Sequence, residues 1–154
     1  MVNEKITNVL QMIVTNLSQQ SAGHTIHSRI FASEGFTKLA EKYAEHAEEE
    51  MGFVVKCIDR LIDLGCDVKI EAKQEAPVYK DPEEYLKYDL SVSKDEEGLA
   101  AMREIIAIAA VEDYSSYDIL KDYYQDEEED ANWMQAQLDL IECIGKQNWL
   151  IQQL

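Results

Sequence analysis

Apolar residues recur at spacings of three and four along most of the chain, which is the period of one face of an α-helix. This pattern predicts a first helix over residues 3–34 and, after an interruption at Gly35, a second helix over residues 36–65. At ~1.5 Å per residue, such a helix is about 45 Å long, which is typical of a tall helical bundle. The first apolar positions of the pattern are Ile6, Val9, Leu10, Ile13, Val14 and Leu17.

The helical period disappears between Gly65 and Pro82, where the sequence is typical of an extended connection. About 16 residues at ~3.3 Å each can run the whole length of such a helix, so the third helix can begin where the second began. The second and third helices are then parallel and joined by one long crossover. Asp81 as N-cap and Pro82 at the first helical position predict a third helix over residues 82–111, with a weak segment at residues 91–98 that we expect to kink it.

A short polar turn near residues 112–116 precedes a fourth helical pattern over residues 115–144, which Gly145 ends. Residues 146–154 are too few to form a stable isolated helix and too apolar to be left in water, so we expect them to pack in a subunit interface. The sequence therefore predicts an all-α fold. We expect one domain over residues 1–154, a four-helix bundle with one long crossover and a short fifth helix.

Charge limits the partners of this bundle. The 154 residues include 14 lysines and arginines against 31 aspartates and glutamates, so the net charge is −17. Such a surface repels phosphate backbones and anionic lipid and attracts cations, so we expect neither a nucleic-acid nor a membrane partner. Cys57, Cys66 and Cys143 form no zinc-type spacing, and no apolar stretch approaches the roughly 18 residues of a transmembrane helix. We expect a cytoplasmic protein with reduced cysteines.

Two acidic residues interrupt the apolar stripes. Glu50 lies in the stripe of the second helix and Glu127 in that of the fourth. Carboxylates are almost never fully buried unless they are paired, protonated or bound to a metal, so these two residues predict a site in the middle of the bundle. The alternative is that both lie on partly exposed flanks or bond to a tyrosine, His24 or His27 across the core.

Helical bundles hold two iron or manganese ions with one Glu from each of two helices and a Glu-x-x-His from each of the other two. Here the Glu-x-x-His pattern is broken twice. Three residues after Glu50, where histidine is needed, the chain has Phe53, and three residues after Glu127 it has Asp130. A normal di-metal centre is therefore not expected from the residues alone.

Several segments, in order along nearly the whole chain, resemble the bacterioferritins of the ferritin-like superfamily. They are HSRIFASEGFTKLAE (27–41), HAEEEM (46–51), DPEEYLKYDL (81–90), DEEEDANW (126–133) and QLDLIECIGKQNWL (137–150). The resemblance implies the ferritin-like bundle, with the last segment as the end of its fourth helix, a glycine break and the short fifth helix.

The resemblance also places the family's metal ligands on this chain. The family's glutamates of the second and fourth helices fall on Glu50 and Glu127. Its histidines of the same two helices fall on Phe53 and Asp130, so neither histidine is present. Its first-helix glutamate falls on or next to Leu17. An iron centre would therefore be degenerate.

The remaining metal ligand falls in the third helix. The family's glutamate there falls near residues 93–95, where Asp95, or Glu96 if the register shifts, could replace it. The candidate metal ligands are thus Glu50, Glu127, Asp130 and Asp95, and no catalytic residue is assigned.

Met51 directly follows the second-helix glutamate. In bacterioferritins a methionine at this place faces a twofold interface, where one from each subunit ligates a shared haem b. The resemblance therefore implies a haem site at Met51. The alternative is that Met51 is an interface filler, since methionine suits irregular contacts.

The favoured function is that of an iron-storage cage subunit with an impaired or absent ferroxidase centre. The resemblance implies a shell of 24 subunits, with 12 as the alternative, and allows co-assembly with a ferroxidase-competent subunit. A second hypothesis is a ferroxidase with an altered carboxylate-rich site, with His24 or His27 supplying nitrogen. A third is a metal-free scaffold packed around Leu17 and Phe53. Natural divergence and deliberate engineering would leave the same pattern.

Overall fold

The computed structural model describes residues 3–71 and 75–154 and has an all-α fold within them. The helices are α1 (Glu4–Ser33), α2 (Thr37–Asp63), α3 (Pro82–Ser93), α4 (Glu96–Glu112), α5 (Tyr114–Ile144) and α6 (Lys146–Gln152). The predicted all-α bundle is confirmed. In the described ranges, no helix is both long enough and apolar enough to span a bilayer.

The α1–α2 hairpin and the described parts of the crossover follow the predicted layout. The Ser21 Oγ donates to the Ala47 carbonyl at 2.8 Å, and the Ser28 Oγ donates to the Ala40 carbonyl at 2.6 Å, so the two helices run antiparallel. On either side of residues 72–74, the connection after α2 contacts α1. Gln11 bonds the backbone of Lys69 near one end of α1, and the Tyr79 N–H donates to His27 near the other end.

The predicted continuous third helix is wrong, because α3 ends at Ser93 and α4 begins at Glu96. The expected kink is a full break. Asp95 is the N-cap of α4, and its carboxylate accepts a hydrogen bond from the Gly98 N–H at 3.3 Å. Asp is a strong N-cap and Gly a poor helix former, so starting a new helix competes well with continuing the old one.

Two apolar clusters fill the two ends of the bundle. The first joins the start of α1, the end of α2, α4 and the start of α5, and contains Leu10, Leu17, Val54, Leu61, Met102 and Leu120. The second joins the end of α1, the start of α2, α3, the end of α5 and α6, and contains Phe31, Leu39, Tyr43, Leu86, Met134 and Trp149. Buried polar side chains lie between them.

The C-terminal tail does not behave fully as predicted. Trp149 is 0% exposed within its own chain, and its Nε1–H donates to Gln137 at 2.8 Å. The Gln153 carbonyl also accepts from the Lys38 N–H at 2.9 Å, which ties the tail to the start of α2. Trp149 reaches the second apolar cluster and so needs no second subunit. Ile151 and Leu154 remain more than half exposed.

Candidate metal centre

A layer of charged and polar side chains crosses the middle of the bundle. All of its main members are at least nine-tenths buried: His24 from α1, His46 and Glu50 from α2, Asp89 from α3 and Asp130 from α5. Charged groups are costly to bury without partners, so the partners in this layer determine what it can do.

His24 lies between two buried carboxylates. Its Nδ1 is 2.6 Å from Glu50 Oε1, and its Nε2 is 2.8 Å from Asp89 Oδ2. Carboxylates only accept hydrogen bonds, so both ring nitrogens carry hydrogen and the ring is an imidazolium. Burial alone would lower the pKa of His24, but the hydrogen bonds and charges of Asp89 and Glu50 raise it to about 10. This ion triad links α1, α2 and α3.

Only one of the two carboxylate oxygens of Glu50 is hydrogen-bonded in this triad. Its Oε1 pairs with His24, whereas its Oε2 is shielded from solvent and has no hydrogen-bond partner. Burial raises the pKa of the Glu50 carboxyl, and the bond to His24 opposes that rise. The sequence placed Glu50 on the apolar face of its helix, and the side chain is 0% exposed.

Glu127 is half-buried, and its Oε1 is shielded and has no hydrogen-bond partner. Burial, followed by the charges of Glu50 and Asp130, raises the pKa of the Glu127 carboxyl to about 8. Glu127 therefore holds its proton at neutral pH unless a cation is close to it.

Three carboxylates form a compact group beside this layer. One oxygen from each of Glu49, Asp126 and Asp130 lies within 4.8 Å of the others. Glu49 is exposed, Asp126 is intermediate and Asp130 is buried, so the group lies at the edge of the bundle. Burial and neighbouring acids, Asp126 first among them, raise the pKa of Asp130 to about 8. A cation would relieve this crowding of like charges.

His46 lies behind this carboxylate group. Its Nε2 is 3.5 Å from Asp130 Oδ1, and neither ring nitrogen has a hydrogen-bond partner. Burial, helped by the positive charges of His24 and Lys42, lowers the pKa of His46 to about 4, so the ring is neutral. The neutral ring packs edge-on against Trp133 at 5.4 Å between centroids.

The four predicted metal ligands are placed in different environments. Asp130 belongs to the carboxylate group, Glu50 belongs to the His24 triad, and Glu127 belongs to neither. Asp95 is exposed and caps α4. In residues 3–71 and 75–154, the group of Asp130 is the one set of three or more acidic, histidine or cysteine side chains close enough to share an ion.

Sequence reasoning missed Glu49, Asp126 and Asp89, whereas a bond between Glu50 and His24 was among its alternatives. Asp126 and Asp130 are four residues apart on α5 and so share a helix face, which was a usable signal. Glu49 was hidden in an acidic run that is typical of a solvated surface. Asp89 was hidden because its contact with His24 depends on how α3 packs against α1.

Met51, the predicted haem ligand, lies on the outer surface of α2. Its side chain is 42% exposed, and Val55, one turn later, is 51% exposed. The two side chains form a small apolar strip on α2.

The comparison with known proteins agrees with this architecture. The Ferritin-like domain family matches residues 7–144. The chain belongs to the ferritin-like family. A "Bacterial ferritin" of Neisseria meningitidis is 31% identical over 99% of this chain and 98% of its own length. A "Bacterial ferritin" of Synechocystis is 34% identical over 84% and 83%, and a "Bacterioferritin" of Rhodobacter capsulatus is 28% identical over 96% and 89%. The resemblance of this ferritin-like chain to the bacterioferritins is thus confirmed.

Proposed function

We propose that the chain is an iron-storage cage subunit that binds Fe(II) at the Glu49, Asp126 and Asp130 carboxylates and lacks a paired-iron oxidase centre. The observation that carries this proposal is the compact carboxylate group, with oxygens within 4.8 Å of one another. Carboxylate oxygens suit divalent cations, and the net charge of −17 draws cations to the surface. Iron is here the stored cargo.

The loss of the paired-iron centre is argued from the missing nitrogen ligands. Phe53 and Asp130 stand where the two Glu-x-x-His motifs of a di-iron bundle need histidine. His24 points into the bundle, as the altered-ferroxidase hypothesis requires, but carboxylates occupy both of its nitrogens. Leu17 is 1% exposed and packs in the first apolar cluster, so it adds apolar volume where the family has a carboxylate.

His46 supports the carboxylate group as a neutral neighbour of Asp130. A neutral ring does not compete electrostatically with an incoming cation, and a ring nitrogen 3.5 Å from Asp130 can hold that carboxylate in place with a small shift. The site therefore offers three oxygens directly and one histidine behind them.

A second candidate function keeps a metal at the bundle centre. Glu50 Oε2 and Glu127 Oε1 are both shielded and without hydrogen-bond partners, and the Glu50 charge raises the pKa of Glu127. Unsatisfied buried acceptors favour a cation that both could contact. This would give one altered site in place of a pair.

The proposal also covers haem binding, the number of subunits in the assembly and the cellular compartment. We propose that Met51, exposed on α2, contributes to a haem b site between two subunits. We further propose a shell of 24 subunits, with 12 as the alternative, which can include a ferroxidase-competent partner subunit. The free thiols of Cys57, Cys66 and Cys143 suit the reducing cytoplasm.

The experiment is a titration of the purified assembly with Mn²⁺, an air-stable stand-in for Fe(II), followed by electron paramagnetic resonance. Glu49→Gln and Asp126→Asn should each weaken binding by about tenfold, because each removes one charged ligand. Glu48→Gln is the matched control, since Glu48 is exposed on the same helix and outside the group.

Unchanged binding in both Glu49→Gln and Asp126→Asn would contradict the proposed site. Loss of the tightest site in Glu50→Gln or Glu127→Gln, with Glu49→Gln unaffected, would favour the second candidate.

A further inference from the structure

A cleft of about 790 Å³ opens between α1, the break between α3 and α4, and α5. Its volume lies within the range of small-molecule sites in proteins. It is not part of the carboxylate group, because Glu49, Asp126 and Asp130 do not line it.

Aromatic rings form much of the wall of this cleft. Tyr85 and Tyr88 line it from α3, and Tyr123 and Tyr124 line it from α5. Tyr124 is held in place by a hydrogen bond from the exposed Arg103 to its hydroxyl, at 3.0 Å. Tyrosine faces attract cations and also pack against apolar groups.

The charges in the cleft are acidic. Among the described residues that line it, there is no lysine or arginine. His27 lines it too, but its Nδ1–H donates to the Gly23 carbonyl and its Nε2 accepts from the Tyr79 N–H. Neither nitrogen of His27 is therefore available to hold an anionic ligand.

Of the acids that line the cleft, Glu127 has an unused buried oxygen. Asp89 is paired with the His24 imidazolium, and Asp95 caps α4. Glu127 Oε1 is shielded and has no hydrogen-bond partner. The Glu127 side chain is only half-buried and lines the cleft, so a ligand that donates a hydrogen bond to the part of the carboxyl group facing the cleft satisfies an acid that no described residue pairs.

We propose that this cleft binds an organic ammonium ion, with the ammonium group on Glu127 and its apolar body against the tyrosines. A metal ion fits less well, because in the described chain Glu127 belongs to no set of three close ligand side chains. An ammonium group needs only one carboxylate and neighbouring aromatic faces, and the cleft supplies both. This inference goes beyond iron storage and does not depend on it.

The test is isothermal titration of the purified assembly at neutral pH with three ligands that share one phenyl body. These are 2-phenylethylammonium, the neutral 2-phenylethanol and the anionic phenylacetate. We expect the ammonium ion to bind at least about tenfold more tightly than the alcohol, since it adds a charge-assisted hydrogen bond, and the anion not to bind. Equal affinity for all three ligands, or no binding of the ammonium ion, would overturn the proposal.

Variants then locate the site. Glu127→Gln should abolish the preference for the ammonium ion over the alcohol, and Tyr88→Leu should weaken both ligands. Glu128→Gln is the matched control, because Glu128 is the exposed neighbour on α5 and does not line the cleft. Retention of the full ammonium preference in Glu127→Gln would also overturn the proposal.

Glu49→Gln separates this inference from the iron proposal. Because Glu49 lies outside the cleft, we expect Glu49→Gln to weaken Mn²⁺ binding and leave the ammonium ion unaffected. If Glu49→Gln also abolished ammonium binding, the ligand would be at the carboxylate group and the cleft assignment would be wrong.

Discussion

Replacing His24 with alanine should destabilise the fold strongly, because it leaves two buried carboxylates without their cation. Glu50 and Asp89 are 0% and 4% exposed, and both bond directly to His24. Removing one partner of a buried ion pair costs about 3–5 kcal/mol. The raised pKa of His24, about 10 in the folded chain against 6.5 for the free residue, points in the same direction, because the same two carboxylates favour the charged ring.

The sign of the pH dependence follows from the same values. The pKa of His24 is raised on folding, so the folded chain holds this proton more tightly than the unfolded chain. The stabilisation is complete below pH 6.5 and is lost as the pH rises from 6.5 towards 10. The difference in the free energy of unfolding between the native chain and His24→Ala should therefore decrease as the pH rises from 6.5 towards 10.

The assay is guanidinium unfolding between pH 6 and 9 at a fixed protein concentration, since the proposed assembly would add to apparent stability. His46→Ala is the matched control: it also deletes a buried histidine, but the pKa of His46 is lowered to about 4, so its effect should not vary above pH 6.5. Nitrogen NMR of the intact native protein should also show His24 doubly protonated at pH 8. A neutral His24 at pH 8 would refute the reasoning, as would a difference in the free energy of unfolding that does not decrease with rising pH.

Three further predictions concern other parts of the molecule. Met51→Leu should abolish the haem absorption band of a haem-titrated assembly without changing helical content by circular dichroism; a retained band would exclude Met51 as ligand. Trp149→Ala should cost about 3–5 kcal/mol in guanidinium unfolding, because Trp149 is 0% exposed within its own chain; a loss under about 1 kcal/mol would contradict its role as an anchor. Mn²⁺ affinity should fall as the pH drops from 8 to 6, because the raised pKa of Asp130 makes protons compete with the cation; a flat profile would exclude Asp130 as a ligand.

The sequence predicted the bundle well because its helices are long and strongly periodic. It also located the weak point of the third helix, but the complete break there depends on how well Asp95 caps a new helix at Gly98. A pattern of apolar residues does not indicate whether capping a new helix is more favourable than continuing the old one. The burial of Trp149 against its own chain was equally hidden, because it depends on where the tail meets the rest of the fold.

For the site, the sequence identified acids in apolar stripes but not the contacts between helices. Glu50 was correctly placed on a buried face, and its bond to His24 was one of several alternatives that the sequence left open. The carboxylate group needs the α2–α5 register to bring Glu49 beside Asp126, and no spacing within one helix encodes that register. Contacts across helices are therefore what the structure adds.

The central claim is that this ferritin-like subunit stores iron without a paired-iron oxidase centre. Its most direct test is stopped-flow oxidation of Fe(II) in air by the purified assembly, with the iron retained in the particle counted afterwards. The account predicts no fast phase, and slow iron accumulation that is reduced in Glu49→Gln. A fast phase that saturates near about two iron ions per subunit and disappears in Glu50→Ala would contradict it.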